Sequence, residues 1–202
     1  FDQYLRLQYV TAPRTMVAGI AQLPPGSTLT LNPDASSPSV RQYWRPHAAA
    51  DAPRGVDAFQ DRLQRAVQSH MVADVPVGAL LSGGVDSSLI VAHMTAVATG
   101  PVHTFSVGFE EAALDERLAA REVAGHLGTV HHEHLITERD ALDALPSVVT
   151  ALDEPLADYA ALPTWLLARF AASHVKVVLG GEGADELFGG YRRYRRDQRL
   201  AA

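Results

Sequence analysis

The stretch "VPVGALLS" (Val75–Ser82) is the strongest constraint on what this chain can fold into. It is a run of strand length with no polar alternation, a texture that suits a strand covered on both faces. A glycine pair follows at once, and then "SSLIVAHMTAVA", which reads as a helix. The alternation repeats down the chain. "VHTFSVGF" (Val102–Phe109) predicts a second strand, and "DERLAAREVAGHLG" a helix with Leu118, Val123 and Leu127 inward and Gly128 as its stop. "VHHEHLI" (Val130–Ile136) predicts a third strand, followed by two helical stretches broken at Pro146, Pro155 and Pro163. His174–Gly180 predicts a fourth strand, with Lys176 inside it, running straight into a second glycine turn. Ahead of them all, Phe59, Leu63, Val67 and Met71 mark one face of an amphipathic helix. The expectation is an α/β fold, a doubly wound, mostly parallel sheet with flanking helices, binding its ligand at the carboxyl ends of the strands.

Residues 1–50 have a different texture, rich in Pro, Gly and Ser. Thr28–Leu31 and Val40–Trp44 read as short strands around "NPDASSPS", forming a β-hairpin connector. Leu29, Leu31, Tyr43 and Trp44 give that hairpin something to bury. The expected division is a connector over 1–50 and an α/β domain over 51–202. The 202 residues contain no cysteine, which excludes disulfides, thiolate zinc sites and cysteine nucleophiles. A net charge of −6 and a pI near 5.8 argue against a nucleic-acid or anionic-membrane partner. No apolar run approaches the ~18 residues of a membrane span, and no signal peptide opens the chain, so a cytoplasmic location is expected.

Both glycine turns lie where such a sheet binds ligands. In "LLSGGVDSS" the first turn joins a strand ending at Leu81 to a helix beginning near Ser87. A helix N-terminus offers unpaired N–H groups and partial positive charge, and Gly83 and Gly84 let the backbone approach an anion closely. Ser82, Ser87 and Ser88 add hydroxyls. Asp86 alone would repel a phosphate; beside Mg²⁺ bridging to phosphate oxygens it has a reason. The plainer alternative is a strand-to-helix turn with serine caps. The second turn, "LGGEGADELFGGY", gathers Glu182, Asp185 and Glu186, and Asp185 could complete a Mg²⁺ site with Asp86. Gly180 and Gly181 would let a nucleotide lie against the backbone. For this turn the alternative is an acidic, solvated loop.

"GALLSGGVDSS", "FSVGF", "GHLGTVHHE", "DEP" and "VKVVLGGEGADELFGGYRRY" together resemble the synthetase domain of glutamine-hydrolysing asparagine synthetases, within the wider group of ATP pyrophosphatases (adenine nucleotide alpha hydrolase-like) that carry the SGGxDS loop. "YLRLQYVTAPRTMVAGIAQLPPGSTLTL" resembles the segment that joins the family's glutaminase domain to its synthetase domain. The resemblance implies ATP with its phosphates on Ser82, Gly83, Gly84, Val85, Asp86, Ser87 and Ser88, and its adenosine against Leu80, Val107, Gly180 and Gly181. It implies Mg²⁺ on Asp86 and Asp185, and Glu182 near an acyl-adenylate in substrate contact or proton transfer. The implied reaction makes asparagine from aspartate, ATP and ammonia taken from glutamine, through β-aspartyl-AMP. It also implies a glutaminase domain in the same parent chain, a catalytic lysine beyond the second loop, and room for a homodimer. The sole lysine here is Lys176. Many relatives have serine where Gly180 stands and a Pro-Ser pair at Tyr159–Ala160, which leaves the acceptor pocket open. Two other readings stand beside this one: a relative that activates a different carboxylic acid, and a nucleotide-binding module without turnover.

Two further features are discounted. "HHEH" (His131–His134) suggests a metal cluster, but strand alternation sends His132 and His134 to one face and His131 and Glu133 to the other. "YRRYRRDQR" (Tyr191–Arg199) suggests an anion site, although a solvated helical tail is the commoner explanation.

Overall fold

The structure is a computed structural model that describes residues 1–33, 37–46, 55–111, 115–191 and 194. The chain divides into two compact units, Phe1–Pro53 with Ala144–Leu162, and Arg54–Asp143 with Pro163–Ala202.

The first unit opens with helix α1 (Asp2–Leu7) and contains a two-stranded antiparallel hairpin, β1 (Ser27–Thr30) and β2 (Ser39–Gln42). Its register pairs Ser27 with Gln42 and Thr30 with Ser39. Gly26 anchors the hairpin's open end: its carbonyl accepts the N–H groups of Tyr43 and Trp44 at 2.8 and 3.1 Å. The hairpin is where it was expected, but it is not a buried one. Leu31 is 74% and Tyr43 68% exposed, and Leu29 and Trp44 are exposed too. A lone two-stranded ribbon has no second layer of its own to cover its apolar side chains.

The second unit supplies the α/β architecture. Helix α2 (Val56–His70) precedes strand β3 (Val77–Leu80) and helix α3 (Val85–Val97). Then come β4 (His103–Phe109), α4 (Arg117–Leu127), β5 (Val130–Ile136) and α5 (Glu138–Ala151), whose first turns belong to this unit. Helix α6 (Ala161–Ala172), β6 (Val177–Leu179) and the five-residue α7 (Ala184–Phe188) follow. The four strands form one parallel sheet in the order β5-β4-β3-β6. The chain winds outward from β3 to β5 and then crosses back to lay β6 on β3's other side, so the order reverses between β3 and β6.

Both faces of the sheet are covered. On one, Ala79 and Leu81 pack with Val67 of α2, Val91 and Met94 of α3, and Ala120 and Ala124 of α4. On the other, Phe105 packs with Ala171, Leu167 and Phe170 of α6 and with Val175. This double cover is why β3 reads as an unbroken apolar run.

Several local expectations need correction. Leu118 is 65% exposed, while Val123 and Leu127 do pack inward. The small Ala120 and Ala124 form the buried centre of α4's inner face. Pro146 does not break its helix; α5 runs through it. Pro146 lies on the exposed side, so the carbonyl it leaves without an N–H partner can be hydrated. Lys176 falls just before β6 rather than inside it. Phe59 is partly exposed, its ring meeting Phe188 edge-on at 5.4 Å.

Candidate nucleotide site

The first loop is fixed by contacts its own sequence makes. Strand β3 ends as the Leu81 N–H reaches the Phe105 carbonyl at 2.9 Å. The backbone then turns through Gly83 at φ +80°, and a Cβ there would lie 2.6 Å from the Ala119 carbonyl carbon and 2.7 Å from the Ala120 nitrogen. Glycine is required at this position, by conformation and by the closeness of α4. Ser87 draws the turn shut. Its hydroxyl donates to the Gly84 carbonyl at 3.2 Å, accepts the Ser82 N–H at 3.3 Å and meets Ser82 Oγ at 3.0 Å. Ser82 Oγ also accepts the Gly84 N–H at 3.3 Å.

The second loop leaves β6 at Leu179 and runs through Gly180–Gly183 into α7, with Gly183 and Gly189 in the left-handed region at its two ends. Gly181 lies against the start of α3. A Cβ on it would come within 3.0 Å of the Ser87 nitrogen and 3.1 Å of Asp86 Cβ. The two loops therefore touch, backbone against helix start, at the place where the strand order reverses. Open α/β sheets bind ligands at such reversals, outside the carboxyl ends of the strands.

An open cleft of about 290 Å³ lies there. The first loop lines it with Leu80, Ser82, Asp86 and Ser87, and the second with Gly180, Gly181, Glu182 and Asp185. Val107 joins them from β4. Of the residues expected from sequence, Gly83, Gly84, Val85 and Ser88 belong to the same loop but do not line the cleft. Ser88 Oγ is buried with no hydrogen-bond partner, and Val85 is 75% exposed. Ser87's hydroxyl is spent on holding the turn, which leaves its role in the cleft to its backbone.

The cleft's charge is one-sided. Asp86, Glu116, Glu182, Asp185 and Glu186 all line it, and among the described residues that do so there is no lysine or arginine. Nothing in the geometry opposes a divalent cation on Asp86 and Asp185. Asp86 and Asp185 both line the same cleft, and hard cations such as Mg²⁺ take oxygen ligands of this type together with phosphates. Beside the cleft, the pKa of Asp115 is held down to about 2 by hydrogen bonds from Arg117, whose side chain grips it at 2.8 Å through Nε and again through Nη2. That pair flanks Glu116, the residue from which α4 starts.

Residues 58–202 match the family described as Asparagine synthase. The chain belongs to that family. It is 40% identical over 198 residues to asparagine synthetase [glutamine-hydrolyzing] 1 of Bacillus subtilis, an alignment covering 96% of this chain and 31% of the relative. It is 42% identical over 202 residues to a putative asparagine synthetase of Mycobacterium tuberculosis, covering 96% and 30%. With asparagine synthetase B of Escherichia coli it shares 34% over 211 residues, covering 95% and 38%. The chain thus spans about a third of the length of these relatives. Among solved structures it is similar to an NH3-dependent NAD synthetase from Campylobacter jejuni, with a TM-score of 0.47, 18% identity and coverage of 67% and 60%.

Sequence reading of this asparagine synthase family member placed Glu186 in the second loop but missed several other residues of the cleft wall: Ser106, Glu116, Thr164, Leu167 and Tyr191. Ser106 had a weak signal, being a hydroxyl toward the carboxyl end of a strand that also carries His103 and Thr104. Glu116 had a weaker one, as an acid at a strand-to-helix junction. Thr164 and Leu167 had none, since they reach the cleft only because α6 folds back over the sheet. Tyr191 donates to Glu186 Oε1 at 2.6 Å. The remaining residues of "YRRYRRDQR", apart from Tyr194, lie outside the described residues. Among the described residues no three His, Asp or Glu gather as a metal site. No described helix is long and apolar enough to cross a membrane.

Proposed function

We propose that this chain is the ATP-binding part of a glutamine-dependent asparagine synthetase. The observation that carries the reading is the meeting of two glycine loops, with Ser82, Asp86, Gly181 and Asp185 on one cleft at the strand-order reversal. In this reading the first loop receives the phosphates of ATP, and Leu80, Val107, Gly180 and Gly181 receive its adenosine. Asp86 and Asp185 would hold Mg²⁺, which supplies charge neutralisation for the phosphates. The β-carboxylate of aspartate attacks the α-phosphorus, pyrophosphate leaves, and ammonia then displaces AMP to give asparagine. Glu182, on the second loop, contacts the acyl-adenylate or moves a proton there. The protein's contribution is to position two reactants and manage charge, with no side-chain nucleophile. Residues 51–202 form the synthetase domain, and 1–50 connect it to a glutaminase domain of the same parent chain that delivers the ammonia.

The test is aspartate-dependent exchange of labelled pyrophosphate into ATP. Exchange with aspartate supports the full reading. Exchange only with another carboxylic acid keeps the adenylation and replaces the acceptor. An Asp86→Asn variant should bind ATP–Mg²⁺ at least about tenfold more weakly, the worth of one charge-assisted contact. Unchanged affinity would remove Asp86 from the metal site.

A further inference from the structure

The imidazole of His131 lies behind the cleft wall, connected to it by one hydroxyl. Strand β3 stops at Leu80, opposite Phe105, whereas β4 runs on to Phe109. Ser106 and Val107 therefore border the cleft past the end of the neighbouring strand. Ser106 is only 3% exposed, and its Oγ lies 3.1 Å from His131 Nε2 on β5. On the far side of the ring, His131 Nδ1 lies 2.8 Å from Thr104 Oγ1, which meets Thr129 Oγ1 at 2.9 Å. His131 Nε2 also lies 3.5 Å from Glu133 Oε1, and Arg121 grips Glu133 with bonds of 2.9 and 2.6 Å.

These contacts fix where the protons are. The Arg121 hydrogen bonds hold the Glu133 carboxyl below its ordinary range, so it is anionic and accepts only. Burial pushes His131 down, so at neutral pH its ring carries a single N–H. That proton belongs on Nε2, because a bare ring nitrogen facing an anionic carboxylate would set lone pair against lone pair. Nδ1 then accepts from the Thr104 hydroxyl, which accepts from Thr129. Ser106 Oγ is left accepting from His131, and its own proton is free to turn into the cleft.

We propose that Ser106 donates a hydrogen bond to an acceptor atom on the nucleoside half of the bound nucleotide, and that His131 is the positioning residue that aims this donor. The proposal rests on the cleft being a nucleotide site. Ser106 is assigned to the nucleoside end because it adjoins Val107 on β4, and both border the cleft where the proposed function lays the adenosine.

The test measures binding of ATP–Mg²⁺ and of AMP to the wild-type protein, Ser106→Ala, His131→Ala and the double variant by calorimetry, with a thermal midpoint for each. Ser106→Ala should weaken both ligands by about three- to tenfold, the range of one neutral hydrogen bond. His131→Ala should cost a similar factor, and the double variant no more than either alone. His131→Gln, which keeps an amide donor near the Nε2 position, should recover part of the loss and covers the case in which the alanine variant folds poorly. The proposal is overturned by an effect of Ser106→Ala below twofold, by additive losses in the double variant, or by a loss confined to ATP. If the wild-type protein binds no ATP–Mg²⁺, the nucleotide reading itself falls, which is a separate outcome from the others.

Discussion

Gly83 and Gly181 show how one residue type can serve two ends within a single site. At Gly83 the backbone is left-handed and the helix α4 backbone occupies the space a Cβ would need. Gly83→Ala should therefore destabilise the fold by about 3 kcal/mol, combining roughly 1–2 for the left-handed residue with 1–3 for overlap. Gly181 has no such conformational demand. Its missing Cβ lets the second loop touch the start of α3 at Asp86 and Ser87. Gly181→Ala should leave the urea midpoint nearly unchanged while weakening ATP–Mg²⁺ binding, because the loops must part by a few tenths of an ångström. A midpoint drop as large as that of Gly83→Ala would show that Gly181 serves the fold instead. The sequence marked both positions as glycine but could not separate these roles, since the partner atoms come from α4 in one case and α3 in the other. Ser87 makes the same point: its place in the loop was legible, but the capture of its hydroxyl by Ser82 and Gly84 was not.

At the scale of elements, the strand period carried more information than helix texture did. Alternation along β5 sends His131 and Glu133 to the α4 side and His132 to the α6 side, as the sequence indicated. Helix α4 was less legible, because an apolar residue at the right spacing, Leu118, still faces water while Ala120 and Ala124 fill the inner face. The partners of His132 were not legible at all. His103 Nδ1 lies 2.9 Å from its Nε2, the His174 ring lies tilted against it at 4.3 Å between ring centroids, and Phe105 stacks at 5.1 Å. Burial first, and then the charges of His174, His103 and His131, lower the affinity of His132 for a proton. The folded state therefore binds fewer protons than the unfolded chain, and stability rises with pH across this window. His132 contributes stability that is present above about 6.5, the unfolded value, and lost as the pH falls from there toward its lower folded value. Urea midpoints taken between pH 8 and 5.5 should fall on acidification, and His132→Phe should flatten that slope. An equally steep slope in the variant would assign the acid sensitivity to other groups.

For the whole molecule, the proposed function raises the question of how a chain of net charge −6 would hold a polyanion in a cleft lined by five carboxylates. A phosphate site built on lysine and arginine weakens as salt rises, because screening removes attraction. Here the described walls offer loop N–H groups and the partial charge of the α3 N-terminus, with no basic side chain. Without a divalent cation we expect the five carboxylates to outweigh those groups and repel ATP, and screening to relieve that repulsion. We expect ATP affinity to collapse in EDTA while adenosine affinity stays within about twofold. We also expect the residual metal-free ATP binding to strengthen as salt rises from 0.1 to 1 M, where the screening length drops from about 10 to about 3 Å. Titration of ATP and adenosine at several salt concentrations, with and without Mg²⁺, measures both effects. Metal-free ATP binding that weakens with salt would mean that basic groups outside these walls hold the phosphates. The arginines of "YRRYRRDQR" would then be the first to replace, and a loss of the salt effect on replacing them would move the phosphate grip from the two glycine loops to that segment.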